Sequence, residues 1–138
     1  MHLIDRLEER HIPQLHALYR NVWWGHARTL EETRRCLQGS QLTLGIVDAQ
    51  GDLIAFTRVL TDFVFKALIF DVIVSPAHQG LGLGDRLIEA VKSHERLAGI
   101  GHLELYCRGD MNDFYVRHGF TRSLGDLQLM RHTRSPSS

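Results

Sequence analysis

The residues whose types and spacing best suit chemistry are Gln79-Gly80-Leu81-Gly82-Leu83-Gly84, in a chain of 138 residues. They follow the apolar run Ala67 to Val74 and precede a helical pattern from Asp85 to Leu97. A strand therefore hands over, through Ser75-Pro76-Ala77-His78, to a glycine-rich helix start. Backbone N–H groups at such a start have no partners within the helix, and the helix dipole adds partial positive charge, so the loop suits an anion. Glycine lets phosphate oxygens come close to the backbone. A pyrophosphate is the cargo this spacing suits; a flexible strand-to-helix turn is the bland reading of the same letters.

Two phosphate-loop patterns are excluded by the residues after the glycines. A Walker loop needs Lys and then Ser or Thr after its last glycine, but Asp85 and Arg86 follow Gly84. A dinucleotide fingerprint starting at Gly80 needs Gly or Ala where Asp85 stands. The letters match Gln-x-x-Gly-x-Gly, read as Gln79, Gly82 and Gly84, with Val72, Val74 and Pro76 ahead. This resembles the coenzyme A loop of the GNAT superfamily of acyl-CoA-dependent N-acetyltransferases. Phe114-Tyr115-Val116-Arg117-His118-Gly119-Phe120 is similar to the Phe-Tyr-x-x-x-Gly-Phe segment of the same superfamily, in the expected order. The likeness runs from about Leu42 to Arg131. It departs from the pattern at Arg108, where many members carry asparagine, and whatever that asparagine contacts is not transferred to this chain.

The resemblance implies an α+β fold, layered α/β/α, with a mixed, mostly antiparallel central sheet and about four helices. It also implies acetyl-CoA as cofactor, with Gln79 to Gly84 on its phosphates and the backbone of Ile73 and Val74 on the pantetheine arm, in a gap between two splayed strands. One N–H there would polarise the thioester carbonyl. Tyr115 takes the family's position for protonating the departing thiolate, which a phenol of pKa about 10 can do for a thiol of pKa about 8.5 when held close and dry. Tyr115 packed in a core is the alternative. The first two helices and their linker form an acceptor wall in the family, which brings in Trp23, Trp24, His26 and Arg28. Arg28, Arg58 or Arg108 could hold a carboxylate.

Direct acetyl transfer needs a neutral amine, and a lysine-like amine has a pKa of about 10.4 in water, so a base or a desolvating pocket must help. Asp71 interrupts an apolar strand and is the first candidate base; an ion pair with Arg58 or Lys66 is the structural reading. Glu104 is the second candidate, alternating with Leu103 and Leu105 as a solvated strand-face charge would. Cys107 reads as a small buried hydrophobe rather than a nucleophile, because no cation is placed to lower its pKa. His78 beside the loop and His118 read as solvated or packed imidazoles.

Composition narrows the function. Sixteen basic and sixteen acidic residues cancel, so overall charge favours neither a nucleic-acid nor an anionic-membrane surface. The nine histidines show no ligand spacing with Cys or carboxylates, and no metal site is expected. Two distant cysteines make neither a disulfide framework nor a zinc site and suggest a reducing cytoplasm. No exported or membrane-spanning segment is expected. The apolar content of 43% suits one core. The domain is therefore placed at 1–132, with a frayed polar tail over 133–138. A small-molecule amine is the expected acceptor, with a protein lysine or N-terminus, or a noncatalytic acyl-CoA-binding module, as alternatives. A homodimer is compatible with exposed edge strands.

The elements that must position these residues follow from periodicity. Leu3 to Leu7 suggests a first strand. His11-Ile12-Pro13 opens a helix whose stripe is Ile12, Leu15, Leu18, Tyr19 and Val22, and Thr29 with Glu32 forms a capping box for a second helix ending near Gly39. Leu42 to Val47, Leu53 to Leu60 and Phe65 to Val74 predict an antiparallel ladder. His102 to Cys107 predicts a strand parallel to its predecessor. Met111 to His118 reads as a short helix stopped by left-handed Gly119, and Phe120 to Arg122 and Leu127 to Arg131 as two last strands.

Overall fold

The computed structural model describes residues 1–135, so Pro136 to Ser138 of the expected tail lie outside the described residues. Two compact units are formed, Met1–Cys107 and a second beginning at Arg108. The first carries a five-stranded sheet in the order β1-β2-β3-β4-β5, made of β1 (His2–Ile4), β2 (Leu42–Val47), β3 (Leu53–Thr61), β4 (Lys66–Val74) and β5 (His102–Glu104). The first three pairings are antiparallel and the last is parallel, as the strand-helix-strand order around the loop requires.

Three helices belong to this unit: α1 (His11–Tyr19), α2 (Leu30–Gln38) and α3 (Leu83–Lys92). Leu15, Leu18 and Tyr19 of α1 pack with Val47, Leu53, Phe56 and Ile73. Because β3 is buried at every position from Leu53 to Thr57, both of its faces are covered, and α3 contributes Leu83, Leu87, Ile88 and Val91 to the core. The capping box on α2 is complete: the Thr29 hydroxyl accepts from the Glu32 N–H at 3.0 Å, and the Glu32 carboxylate accepts from the Thr29 N–H at 2.9 Å.

Several features differ from the sequence-based expectation, beginning with the first strand, which is His2–Ile4 and not Leu3 to Leu7. The helix after the loop starts two residues earlier, at Leu83, and ends at Lys92; a separate 3-10 turn holds Glu95–Leu97. The break has a local cause, since His94 is extended and its ring nitrogen accepts from the Arg96 N–H at 3.2 Å, capping the new turn. β5 stops at Glu104, not Cys107. No strand follows it among the described residues: Phe120 to Arg122 and Leu127 to Arg131 are irregular, and Leu127, Leu129 and Met130 are exposed. Alternating apolar residues make a strand only where a neighbouring strand takes up their backbone groups, and none does here.

The second unit holds α4 (Asn112–Arg117). Gly119 stops it at φ 89°, with the N–H of Gly119 donating to Val116 O and that of Phe120 to Tyr115 O, at 3.0 and 3.1 Å. This paired pattern demands a left-handed residue, which glycine adopts without strain.

Thr29→Ala removes one half of the α2 capping box and is expected to lower stability by about 1 kcal/mol in urea denaturation. A change below about 0.3 kcal/mol would show that tertiary packing alone fixes the start of α2.

Candidate active site

The glycine loop is built by backbone conformation. Gly80 and Gly82 lie at φ 81° and 76°, and a Cβ added at either would meet nothing within 4 Å. Space therefore does not select glycine here; the left-handed backbone does, and it leaves the loop open on its outer side. Gly82 is the N-cap of α3, which has no side-chain cap, so the N–H groups of the first turn are not tied down by that residue. Leu83 is buried and anchors the turn, whereas Leu81 is exposed. Gln79, in extended conformation, closes the short 3-10 turn Pro76–His78, where His78 Nδ1 is buried without a hydrogen-bond partner. These residues fit an anionic group carried against the backbone, the arrangement expected for a diphosphate.

The strand leading into the loop is paired on one side only for most of its length. β4 pairs β5 through Lys66, Ala67 and Leu68 alone, so from Ile69 to Val74 the edge on that side has no ladder among the described residues. β5 ends at Glu104, so Ile73 and Val74 lie on an edge of β4 with no ladder among the described residues. Tyr106 crosses to Phe70 edge-on at 5.7 Å between ring centres.

A bulge shapes the same strand. Phe56 pairs Ile73 and Arg58 pairs Phe70, so Thr57 stands opposite both Asp71 and Val72. Asp71 takes φ 60°, and the Thr57 hydroxyl donates to the Phe70 carbonyl at 2.8 Å. An extra residue in left-handed conformation re-aims its side chain, and Asp71 turns inward: its side chain is 6% exposed.

Three donors converge on one oxygen of that carboxylate. Arg58 Nε donates to Oδ2 at 2.6 Å, Tyr19 Oη at 2.8 Å and Arg28 Nη1 at 2.9 Å. Aromatic faces back the cations: the Arg28 guanidinium lies 4.5 Å from the Tyr19 ring centre and 5.1 Å from that of Trp24, and Arg58 lies 5.0 Å from Phe70. The linker is held by backbone, because His16 Nε2 meets the Arg28 carbonyl at 2.9 Å. It also passes close over Tyr19, where a Cβ at Gly25 would come within 3.2 Å of both the ring and the carbonyl of Tyr19.

This geometry sets the charges. Burial pushes the Asp71 pKa up, but donation and charge from Arg58, then donation from Arg28 and Tyr19, outweigh it and hold the carboxyl below its usual range. Burial, then the charge on Asp71, push the Tyr19 phenol far up, so it remains a neutral donor. A carboxylate with a lowered pKa and three donors is a poor proton acceptor near neutrality. The catalytic-base expectation for Asp71 is therefore revised to a positioning role, through the ion pair with Arg58 that the sequence allowed. Lys66, the other partner considered, pairs instead with Glu104 at 2.7 Å, which gives Glu104 a partly exposed surface ion pair.

Trp24 and Arg28 thus join the cluster, whereas Trp23 is 64% exposed and the His26 ring bonds the Trp23 carbonyl at 2.8 Å. Cys107, expected to be buried, is exposed, because the strand that would have enclosed it ends three residues earlier. In the second unit Tyr115 is buried, with Phe114 and Phe120 packed edge-on at 4.9 and 6.0 Å. His118 is buried as well, edge-on to Phe114. Tyr19 was read from the sequence only as one apolar member of a helical stripe. Nothing in its spacing pointed to a hydroxyl bonded to a residue 52 positions away.

The ion cluster has a pH signature. Folding lowers the Asp71 pKa, so its contribution is complete above the unfolded value of about 3.9 and is lost as pH falls from there through the folded value. Asp71→Asn leaves two guanidiniums without their anion, and stability at pH 7 is expected to fall by about 3 kcal/mol. Between about pH 5 and pH 2 the variant should lose stability less steeply than the wild type in urea titrations. Parallel curves would show that the carboxylate does not hold the cluster.

The comparisons with known proteins match this architecture. The family model for the acetyltransferase (GNAT) domain matches residues 40–122. A crystal structure of a putative GNAT-family acetyltransferase from Xanthomonas campestris superposes with a TM-score of 0.81 at 30% identity, covering 97% of this chain and 94% of that one. Among curated proteins, the uncharacterized N-acetyltransferase ycf52 of Pyropia yezoensis is 32% identical over 112 residues, which is 79% of this chain and 64% of the relative. Serotonin N-acetyltransferase 2, chloroplastic, of Oryza sativa subsp. japonica is 32% identical over 111 residues, which is 78% of this chain and 56% of the relative. The chain thus spans somewhat over half the length of these curated relatives. With a family model that matches more than half of its residues, the chain belongs to the GNAT acetyltransferase family.

Proposed function

We propose that this chain is an acetyl-CoA-dependent N-acetyltransferase that moves an acetyl group directly to a primary amine of a small molecule. The observation that carries this is the left-handed pair Gly80 and Gly82 opening α3, one short turn after the part of β4 that is paired on one side only. Such a loop leads an anion to the helix start and a neutral arm along the free strand edge. The family match crosses both compact units, which supports one transferase domain over 1–132.

Acetyl-CoA, when bound, supplies an acetyl thioester activated for attack. The first-turn N–H groups around Leu83 and Gly84 would hold its phosphates, with Gln79 to Gly82 lining the approach, and the Ile73 and Val74 backbone groups would orient the arm and polarise the carbonyl. Asp71 serves by fixing Arg28, Arg58 and Tyr19, and proton loss from the acceptor is left to a desolvating pocket or water. Tyr115, on the Phe-Tyr-x-x-x-Gly-Phe pattern, donates the proton that the departing thiolate takes up. The rice relative carries the name of serotonin, a small primary amine, which supports a small-molecule acceptor, while a relative from Glycine max carries the name of a histone acetyltransferase, which keeps a protein acceptor as the second reading. A homodimer, which the short outer strands β1 and β5 would permit, and a reducing cytoplasm, in keeping with only two cysteines, far apart in sequence, complete the reading. None of the described helices is long and apolar enough to cross a membrane.

Two measurements test the reading. Gly82→Val replaces a left-handed glycine with a branched residue and should weaken acetyl-CoA binding at least about tenfold in calorimetry, about 1.4 kcal/mol. Tyr115→Phe should lower kcat about 100-fold in a thiol-release assay over an amine library. Its acetyl-CoA affinity should stay the same. Tight cofactor binding with no acceptor-dependent turnover would instead favour a noncatalytic acyl-CoA-binding module.

A further inference from the structure

The geometry points to an anion subsite at Arg28 and Arg58, so that the acceptor amine carries a second, acidic group, a carboxylate or a phosphate. This inference rests on the transferase reading above and names the substrate class of the same site.

Two guanidiniums share one carboxylate oxygen, and Tyr19 stays neutral, so the cluster carries one positive charge in excess. The other carboxylate whose charge interacts with Arg28 is Glu32, which is exposed and already bonded to the Thr29 N–H. One arginine in fork geometry is enough to pair a carboxylate, so the second is surplus to that task. A cation in a partly dry site has lost part of its hydration and gains from an anion that takes the place of that water. Arg58 and Arg28 are 15% and 30% exposed, which leaves them within reach of a ligand while shielding them from bulk water.

Orientation comes next. Each guanidinium uses one N–H on Asp71 Oδ2 and rests near an aromatic ring, Tyr19 and Trp24 for Arg28 and Phe70 for Arg58. A cation pinned by a carboxylate and an aromatic neighbour has its remaining N–H groups pre-aimed, and arginine presents them as a planar fork matched to carboxylate and phosphate oxygens. The location fits an acceptor rather than the cofactor. Asp71 stands two residues before Ile73 on β4, roughly 7 Å along the strand, where the arm and thioester of acetyl-CoA carry no charge. The cofactor phosphates belong at the other end of that path, on the loop after Gln79. The surplus charge therefore answers to the amine-bearing molecule.

The test is calorimetry on the chain saturated with coenzyme A, titrated with matched amines: butylamine against 4-aminobutyrate, and ethanolamine against phosphoethanolamine. In at least one pair the acidic member should bind about 10- to 100-fold more tightly, the worth of one charge-assisted hydrogen bond. Which pair responds tells carboxylate from phosphate. Arg28→Gln should erase the preference, and Arg28→Lys should keep part of it, having the charge without the fork. Should Arg28→Gln not fold, the preference in wild type and in Arg28→Lys must still shrink between about 0.05 and 0.5 M salt. No preference in either pair, or a preference that survives Arg28→Gln or is indifferent to salt, overturns the inference and leaves the transferase reading standing. Failure of coenzyme A itself to bind removes both.

Discussion

A carboxylate that is nearly closed off from water keeps its charge only if cations and donors replace its hydration. That constraint organises the region around Asp71. Burial alone would favour a neutral acid; Arg58, Arg28 and Tyr19 reverse the balance. Each of them comes from a different element: Arg58 from β3, Tyr19 from the end of α1, and Arg28 from the linker before α2. One oxygen atom therefore ties the central sheet to both helices on that face. The linker is fixed as a by-product, because Arg28 cannot reach Asp71 unless the chain turns tightly over Tyr19, which Gly25 allows, and unless α2 starts where Thr29 and Glu32 cap it.

β4 carries the rest of the design. Ala67 and Leu68 are paired on both sides, and from Ile69 to Val74 the strand is left with one free edge among the described residues. The bulge opposite Thr57 lies within the stretch that has the free edge, and the left-handed backbone of Asp71 there turns its side chain inward. Past Val74 the strand passes into a short turn and then into two left-handed glycines at the mouth of α3. Strand edge, bulge and helix start are three sources of backbone polarity that ordinary secondary structure would have consumed. Here they stay available along one continuous path, which is what a long, flexible cofactor with an anionic end needs.

The family relationship makes the loop and the Phe-Tyr-x-x-x-Gly-Phe pattern intelligible without explaining the cluster. Glycine loops are selected by a cofactor that all members share, so they read clearly in a single chain. Arg28, Arg58 and Trp24 have to be understood from their own charge, stacking and burial, and these point away from a neutral amine and toward one with an acidic group.

The sequence by itself determined the local elements: the ladder from Leu42 to Val74, the capping box on α2, the glycine loop, and the left-handed stop at Gly119. All depend on patterns within a few residues, such as alternation, capping offsets or a glycine at a helix end. It also marked Asp71 as unusual, because a charge inside an apolar strand is visible without coordinates. What Asp71 does was decided by tertiary structure, since its three partners lie 13, 43 and 52 positions away and the bulge that turns it inward is a property of strand register. The same limit explains the two last strands expected after Phe120 and the buried Cys107. Alternation and apolar character are local, but a strand exists only when another strand accepts its hydrogen bonds, and a thiol is buried only when the fold brings something to cover it.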